Sequence, residues 1–482
     1  MIRIFSRLPQ SIKQMIIYGS ALVLSKAMSL VMIPVFTNYL EPADYGRLDI
    51  LQTLANLLSI VIAFGLSESL FRFSGEAKNK NDRVRTTANI FGLAVLLGGI
   101  SLVLTQLFAP IITLSLPGSV SELQVRLILG SLALSGVILV PMSFLRMSDR
   151  AIGYTLASAG CAVIQAFLTA LLLYLGYGLE GVLLSGLLCI SVLAVCLFIY
   201  QVRNTGISFK LTSYPRYGHF GGVLVFAGIS AFIMDSFPRW ILAGSVGTAE
   251  MAIFALAGKL ALITAFMVHP FEMWWMPKRF TVLNTENGLE ACARSTQAGI
   301  VNAMAAALVV SAISPFLIIT LTPDVYHGAV MYVPALAFIM AMNSSVNMIN
   351  IGCLSKERTL WPLIIDGSAA TLACLGYFIL IPMFGAWGVI AMTVTVMCGR
   401  VLAYFVVGHK IKAIPYAYGR LALFLAGTVL SITTVSMLGD TYLALAAGLF
   451  LAGALVFVAF LFKLLPPFEF KLAKSPSFVE AQ

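Results

Sequence analysis

The sequence predicts an all-α, polytopic membrane protein of about fourteen transmembrane helices: two six-helix lobes followed by two extra C-terminal helices. Three observations predict it. Apolar stretches of roughly 20 residues recur from end to end, long enough to cross a bilayer as helices with every backbone group bonded internally. The connections between them alternate in charge. The second half of the chain repeats the first at a nearly constant offset.

The spans read, in order, as about 15–40, 46–66, 85–109, 124–146, 151–175, 180–201, 219–244, 250–276, 297–321, 329–352, 360–383, 386–408, 416–437 and 441–465. Residues 1–14 are basic and polar, but the apolar stretch after them is too long for a signal-peptide core and lacks a small-residue cleavage site, so it counts as the first helix.

Lys and Arg are retained on the cytoplasmic side, which sets the orientation. Alternate connections carry 23 of the 30 basic residues: Arg3, Arg7 and Lys13; Arg72, Lys78, Lys80, Arg83 and Arg85; Arg146 and Arg150; Arg203, Lys210 and Arg216; Lys278, Arg279 and Arg294; Lys356 and Arg358; Lys410 and Lys412; Lys463, Lys471 and Lys474. The opposite connections hold only Arg47 and Arg126, beside Glu41, Asp44, Glu122, Glu180, Glu250, Asp324 and Asp440. Both termini are therefore expected in the cytoplasm. The longest outer connection, about 110–123, leaves no room for an extracytoplasmic domain.

A chain that is 60% hydrophobic and 10% charged, with a mean hydropathy of +0.97, cannot be a soluble globule. Its formal charge of +10 arises from the orientation bias and forms no basic stripe interleaved with aromatics, which argues against nucleic acid as a partner. The seven cysteines have no paired metal-ligand spacing and read as buried small hydrophobes.

Shifted by 207 residues, Ser148 meets Ser355, Gly160 meets Gly367, Gly178 meets Gly385 and Gly181 meets Gly388; shifted by 209, the connection beginning at Glu41 meets the one beginning at Glu250. Six helices per copy is even, so the copies share one topology, as in transporters built from parallel repeats. Chance matching of glycines, abundant in membrane helices, is the competing explanation. The expected organisation is a lobe over 12–202, a cytoplasmic linker over 203–218, a second lobe over 219–409, two helices over 416–465 and a cytoplasmic tail over 466–482.

Ionisable side chains in mid-membrane are costly and usually face a polar cavity. Lys26, Asp235, Arg239, Lys259, His269, Asp366 and Arg400 fall inside spans. Counting along the helices puts Lys26 near the midplane and Asp235, Arg239 and Lys259 slightly to its outer side, so the first, seventh and eighth helices offer three cations to one cavity. Lys26 has no acidic residue within a turn on its own helix. Asp235 and Arg239, four residues apart, read equally well as a structural ion pair. Two uncharged stripes at helical spacing, Asp49-Gln52-Asn56-Ser59 and Asn343-Asn347-Asn350, suit either sugar hydroxyls or interhelical hydrogen bonds. Trp274, Trp275 and Trp361 sit at cytoplasmic ends of spans, where an interfacial aromatic belt accounts for them. The basic residues from Arg72 to Arg85, with Arg146 and Arg150, form a cationic inner mouth suited to anionic headgroups.

Several stretches resemble a known family. Thr37-Asn-Tyr-Leu-Glu-Pro-Ala-Asp-Tyr-Gly46 with Phe64-Gly-Leu66 looks like the opening helices of Wzx-type polysaccharide flippases, of the multidrug/oligosaccharidyl-lipid/polysaccharide superfamily. Phe254-Ala-Leu-Ala-Gly-Lys259, Pro270-Phe-Glu-Met-Trp-Trp-Met-Pro277 and Ile381-Pro-Met-Phe-Gly-Ala-Trp-Gly388 extend the likeness over about 12–460. An Asn that often precedes the Ile-Pro segment in the family is replaced here by apolar residues, Leu375 to Pro382. The resemblance implies two lobes around a central cavity and alternating access. It further implies an undecaprenyl-pyrophosphate-linked oligosaccharide as cargo, the bacterial inner membrane as location, and a polysaccharide polymerase and chain-length regulator as partners in lipopolysaccharide or exopolysaccharide synthesis.

A pyrophosphate diester carries about two negative charges, and cations in a low-dielectric cleft attract it strongly. Lys26, Arg239 and Lys259 are the candidates to bind it; Asp235 and Asp366 are the candidates for ion coupling; Asp49, Gln52, Asn56, Asn343 and Asn347 are the candidates to face the glycan. No Walker loop, His-Glu-x-x-His or Gly-x-Ser-x-Gly pattern occurs, so neither ATP use nor catalysis is expected, and no cofactor or metal. Three other readings remain: a cation-coupled multidrug-type exporter, a peptidoglycan-precursor flippase, and a membrane polymerase or ligase. The last lacks the large outer loop such enzymes carry.

Overall fold

The computed structural model describes residues 10–63, 65–75, 79–148, 150–210, 214–276, 278–283, 285–354 and 360–465. Expectations resting on Arg3, Arg7, Phe64, Lys78, Pro277, Ser355, Lys356, Arg358, Lys471, Lys474, linker positions 211–213 and the tail 466–482 lie outside the described residues, as do the side chains of Lys13, Lys80, Arg216 and His219.

The chain is all-helical among the described residues. The helices are α1 (Gln10–Tyr39), α2 (Pro42–Ala63), α3 (Leu66–Gly75), α4 (Lys80–Ser115), α5 (Glu122–Met147), α6 (Ala151–Tyr174), α7 (Gly178–Thr205), α8 (Tyr214–Asp235) and α9 (Pro238–Val246). They continue with α10 (Thr248–Trp275), α11 (Arg279–Leu283), α12 (Gly288–Leu321), α13 (Val333–Leu354), α14 (Leu360–Phe384), α15 (Ala386–Ile411), α16 (Tyr418–Met437) and α17 (Thr441–Leu461). Twelve membrane-spanning candidates are found among the described residues, and they coincide with the expected spans two to six and eight to fourteen. The other two expected spans are helical as well: α1, whose apolar part is Val23–Tyr39, and α8 with α9.

The seventh span breaks where the sequence reading had one helix. Pro238 has no N–H to give and takes the first position of α9, while Ser236 and Phe237 both donate to the Phe232 carbonyl, at 2.9 and 3.0 Å. Asp235 therefore ends one helix and Arg239 begins the next, so the two do not share one continuous helical face, although Asp235 remains close enough to act electrostatically on Arg239. The second span likewise ends at Gly65, whose φ of 61° suits glycine, before α3 turns off.

The chain divides into two compact units. These are groups of packed residues and not sequence repeats, so the expected lobes stand apart from them. The first holds Met1–Leu260, Leu317–Tyr332 and Leu363–Val396. In lipid the apolar side chains gain little by hiding from tails as apolar as themselves, so close approach through small residues has to hold the helices together. Gly136 of α5 sits against Ile62 of α2, and Gly98 of α4 against Val137 of α5. Leu66, Leu70 and Phe73 of α3 pack with Ile90 and Phe91 of α4 and Val140 of α5. At the end assigned to the outside, a Cβ on Gly46 would run into the carbonyl oxygen of Thr248 at the head of α10. Arg47 donates from Nε to the Gly118 carbonyl in the same corner, at 3.0 Å. Ser121 starts α5 with a capping box: Gln124 N–H donates to its hydroxyl and Ser121 N–H donates to the Gln124 side chain.

Arg47 and Arg126, the two basic residues in the connections expected to be outside, are both neutralised locally: Arg47 pairs with Asp44 at 2.8 Å and Arg126 with Glu122 at 2.6 Å.

The second unit holds Ala261–Phe316, Val333–Pro362 and Met397–Gln482. Gly352 of α13 and Gly408 of α15 meet backbone to backbone, and Gly448 of α17 sits on Ala312 of α12. Trp275, Leu283, Cys292, Ala293, Ile351 and Ile414 form its core. This corrects the aromatic-belt reading for Trp275: it is 1% exposed because α11 turns back beneath the end of α10, whereas Trp274 and Trp361 are exposed as a belt requires. The cysteine reading is also too simple. Cys189, Cys292 and Cys353 are buried, but Cys196 and Cys398 are exposed.

Candidate functional site

The charged residues that sequence placed in mid-membrane come together best in the first unit. Tyr45 and Asp49 lie four apart on α2 and so share a face, and both are buried. Pro238 sets the start of α9 and thereby aims Arg239 at that face. One guanidinium nitrogen, Nη1, donates to both carboxylate oxygens of Asp49, at 2.7 and 2.8 Å. Trp240 anchors the same turn by donating its indole N–H to the Ile50 carbonyl at 3.3 Å. The other face of the guanidinium lies against Gly258 of α10, where a Cβ would stand 3.6 Å from Nη2.

Lys259 follows Gly258, half-buried, and is held differently. Its ammonium lies 4.6 Å from the centre of the Tyr45 ring and 5.7 Å from that of Phe36, at the end of α1. A cation on two aromatic faces gains about 0.5–2 kcal/mol, the upper end when desolvated. Among the described residues no carboxylate lies within ion-pair distance of it. Tyr326, in the short 3-10 turn Asp324–Met331, meets Tyr45 edge-on at 5.9 Å. Both phenol hydroxyls are buried without a hydrogen-bond partner, and burial raises the ionisation of Tyr326 well above its ordinary range. The cluster thus holds two cations, the Asp49 carboxylate and two polar hydroxyls, and Asp235 lies close enough to act electrostatically on Arg239.

The remaining candidates are spread out. Lys26 is exposed on α1, ten residues before Phe36, or about 15 Å along the helix. Gln52 is half-buried and Asn56 exposed on α2. Asp49 is committed to Arg239 on both oxygens, which leaves it without the open face a glycan contact needs. Asp235 is exposed at the end of α8, where the neighbouring Met234 carbonyl accepts from the Tyr377 hydroxyl at 3.2 Å; that hydroxyl also bonds Thr393 at 2.8 Å. Asp366 is half-buried on α14, eleven residues or about 16 Å along that helix before Tyr377.

In the second unit the asparagine stripe serves arginines. Asn343 accepts from Arg400 Nη1 at 3.3 Å. Arg279, expected as a solvated orientation charge, is 7% exposed and donates from Nη1 to the Asn347 carbonyl at 3.0 Å and the Asn350 side chain at 2.8 Å. Its partners are neutral, and burial lowers its proton affinity. The side chain of Asn347 is half-buried.

Sequence reasoning missed Phe36, Tyr45 and Tyr326. A signal existed for Tyr45, one helical turn before Asp49. Nothing local marked Phe36 or Tyr326, which reach the cluster only through the fold.

The sequence pattern of the family described as "Polysaccharide biosynthesis protein" matches residues 11–278. No curated protein matches the chain. Among solved structures, the chain is similar to "Lipid II flippase MurJ, inward closed conformation", with a TM-score of 0.72 and 11% identity over 93% of this chain and 100% of that one. It is also similar to a MATE-family multidrug resistance transporter of the MOP superfamily in its inward-facing conformation, with a TM-score of 0.55 and 15% identity over 82% of this chain and 95% of that one. An outward-facing MATE structure gives 0.54 and 14%, over 85% of this chain and 98% of that one. At these identities the likeness is one of fold.

Proposed function

Because this chain belongs to the polysaccharide biosynthesis protein family, we propose that it is a flippase that carries polyprenyl-pyrophosphate-linked polysaccharide repeat units from the inner to the outer leaflet of the bacterial inner membrane. Two lobes, 12–202 and 219–409, would alternate in exposing the cargo site, with both termini in the cytoplasm as the basic connections favour. The observation that supports the proposal is the Lys259 ammonium, a cation held on ring faces inside the cluster. Asp49 offsets Arg239, and Lys259 rests on aromatic rings with no carboxylate beside it among the described residues. A pyrophosphate entering that site supplies the missing negative charge, and Arg239 keeps donors on Nη2 and Nε for its oxygens.

In this reading Lys26 meets the cargo at a second level of α1, Asp235 and Asp366 couple transport to an ion or to the membrane potential, and Gln52, Asn56, Asn343 and Asn347 face the sugars. A polymerase and a chain-length regulator would act on the delivered repeat units. An exporter of cationic drugs fits the Lys259 ammonium poorly, since like charges would meet there.

Reconstitution tests the proposal. Vesicles holding the purified protein should move a fluorescent polyprenyl-pyrophosphate oligosaccharide between leaflets, and Lys26→Ala protein of normal abundance should move it more slowly than Lys26→Arg. Equal rates in empty and protein-bearing vesicles, together with uptake of cationic dyes, would overturn it.

A further inference from the structure

Beside the cationic cluster, α1 and α6 enclose a crevice of about 240 Å³. Ser25, Ser29, Met32 and Phe36 line it from α1, and Gln165 and Thr169 from α6. Its polar groups are out of place in a membrane-spanning segment. Serines and threonines on such helices ordinarily return their hydroxyls to the carbonyl a turn back, as Thr37 does to Ile33, Ser131 to Leu127 and Ser191 to Leu187. Ser25 does not: its Oγ is buried and has no hydrogen-bond partner. Ser29 and Gln165 are exposed, and no hydrogen bond of either side chain occurs among the described residues, while Thr169 bonds Ser185 at 2.6 Å.

A polar group left unbonded in the hydrocarbon region costs several kcal/mol, so the buried Ser25 hydroxyl, which lacks a partner, and the exposed Ser29 hydroxyl and Gln165 amide need water or another polar group on the crevice side. No charged residue lines it, which disfavours a phosphate or a carboxylate as occupant. Two hydroxyls and an amide, set against the Phe36 ring and the Met32 thioether, match a neutral sugar, whose hydroxyls need hydrogen bonds and whose C–H face needs an apolar surface. The volume lies just under the roughly 300–1,000 Å³ of drug-sized pockets, which suits one or two rings and not a whole repeat unit.

Phe36 joins this crevice to the cations, since the same ring lies under the Lys259 ammonium. From Phe36 back to Ser25 the helix covers about 16 Å. We propose that the α1–α6 crevice is the subsite for the neutral sugars nearest the pyrophosphate, with Ser25, Ser29 and Gln165 as their hydrogen-bonding partners. The proposal rests on the flippase reading above and adds where the glycan begins.

The test compares two lipids, polyprenyl pyrophosphate without sugar and the same lipid bearing a neutral disaccharide, by their retention on the detergent-solubilised full chain. Gln165→Leu and Ser29→Ala should each weaken retention of the disaccharide lipid by about tenfold and leave the sugar-free lipid unchanged. Wild-type melting temperatures would show that both variants fold, and having two variants keeps the test decisive if one does not. Equal weakening for both lipids, or none for either, would overturn the sugar subsite while leaving the pyrophosphate cluster standing. If wild-type protein retains neither lipid, the cargo reading itself fails, and the subsite with it.

Discussion

Arg239 in the first unit and Arg279 in the second are both held inside helical packing, yet they are compensated in opposite ways. Arg239 meets a carboxylate, and a second cation, Lys259, stands beside it on aromatic rings. Arg279 meets a backbone carbonyl and an asparagine amide where α13 loses its regular hydrogen bonding near Asn350, and no second cation is part of that contact. The contrast separates two uses of buried charge. Arg279 closes a helix end, and its own carbonyl accepts from the thiol of Cys292, a member of the core that holds Trp275 and Ile414. In the first unit Lys259 has no carboxylate within ion-pair distance among the described residues, which leaves its charge open to a ligand.

The sharpest way to break the comparison is to remove one half of the Asp49–Arg239 pair. Arg239→Ala leaves a buried carboxylate without its partner and should cost about 3–5 kcal/mol of stability. Asp49→Asn with Arg239→Gln should recover most of it, measured by thermal unfolding in detergent. A single variant as stable as wild type would mean that the pair is solvated and not structural.

Next in size, Arg279→Gln gives up a charged donor to two acceptors and should destabilise by about 2 kcal/mol. Its transport, scaled to folded protein, should remain at the wild-type rate; a transport defect in stable protein would move Arg279 to the functional side.

How much of this was legible beforehand varies with the kind of signal. Apolar runs and alternating charge predict the helices in place, because length and hydropathy are properties of contiguous residues; α10 and α13 to α17 start and end near where they are expected, whereas α12 begins at Gly288, nine residues before its apolar span. The break at Pro238 was visible as a residue and overlooked because hydropathy runs unbroken across it. Lys259 and Arg239 were recognisable as costly charges, but their partners were not. Asp49 is 190 positions from Arg239, and Tyr45 and Phe36 reach Lys259 only when α1, α2 and α10 pack. Asp235 shows the same limit from the other side: four-residue spacing implies a shared face only while the helix continues, and its electrostatic contact with Arg239 is made across the break at Pro238.

A smaller effect concerns pH. Burial raises the Tyr326 phenol, so the folded state favours its neutral form. That preference is fully present below the unfolded value near 10 and is lost as pH rises beyond it. Tyr326→Phe should therefore flatten the loss of thermal stability above about pH 10, and an unchanged alkaline slope would show the hydroxyl to be hydrated.

The central claim is that Lys259 is the charge reserved for the cargo. Lys259→Ala, Lys259→Arg and wild-type protein, matched for melting temperature and reconstituted at equal density, should be compared for flipping of a polyprenyl-pyrophosphate oligosaccharide. The account predicts at least a roughly tenfold loss with alanine, partial activity with arginine, and melting temperatures within about 1 kcal/mol equivalent of wild type, since the ammonium has only ring contacts to lose. Wild-type flipping by Lys259→Ala would contradict it, as would a loss of flipping matched by an equal loss of folded protein.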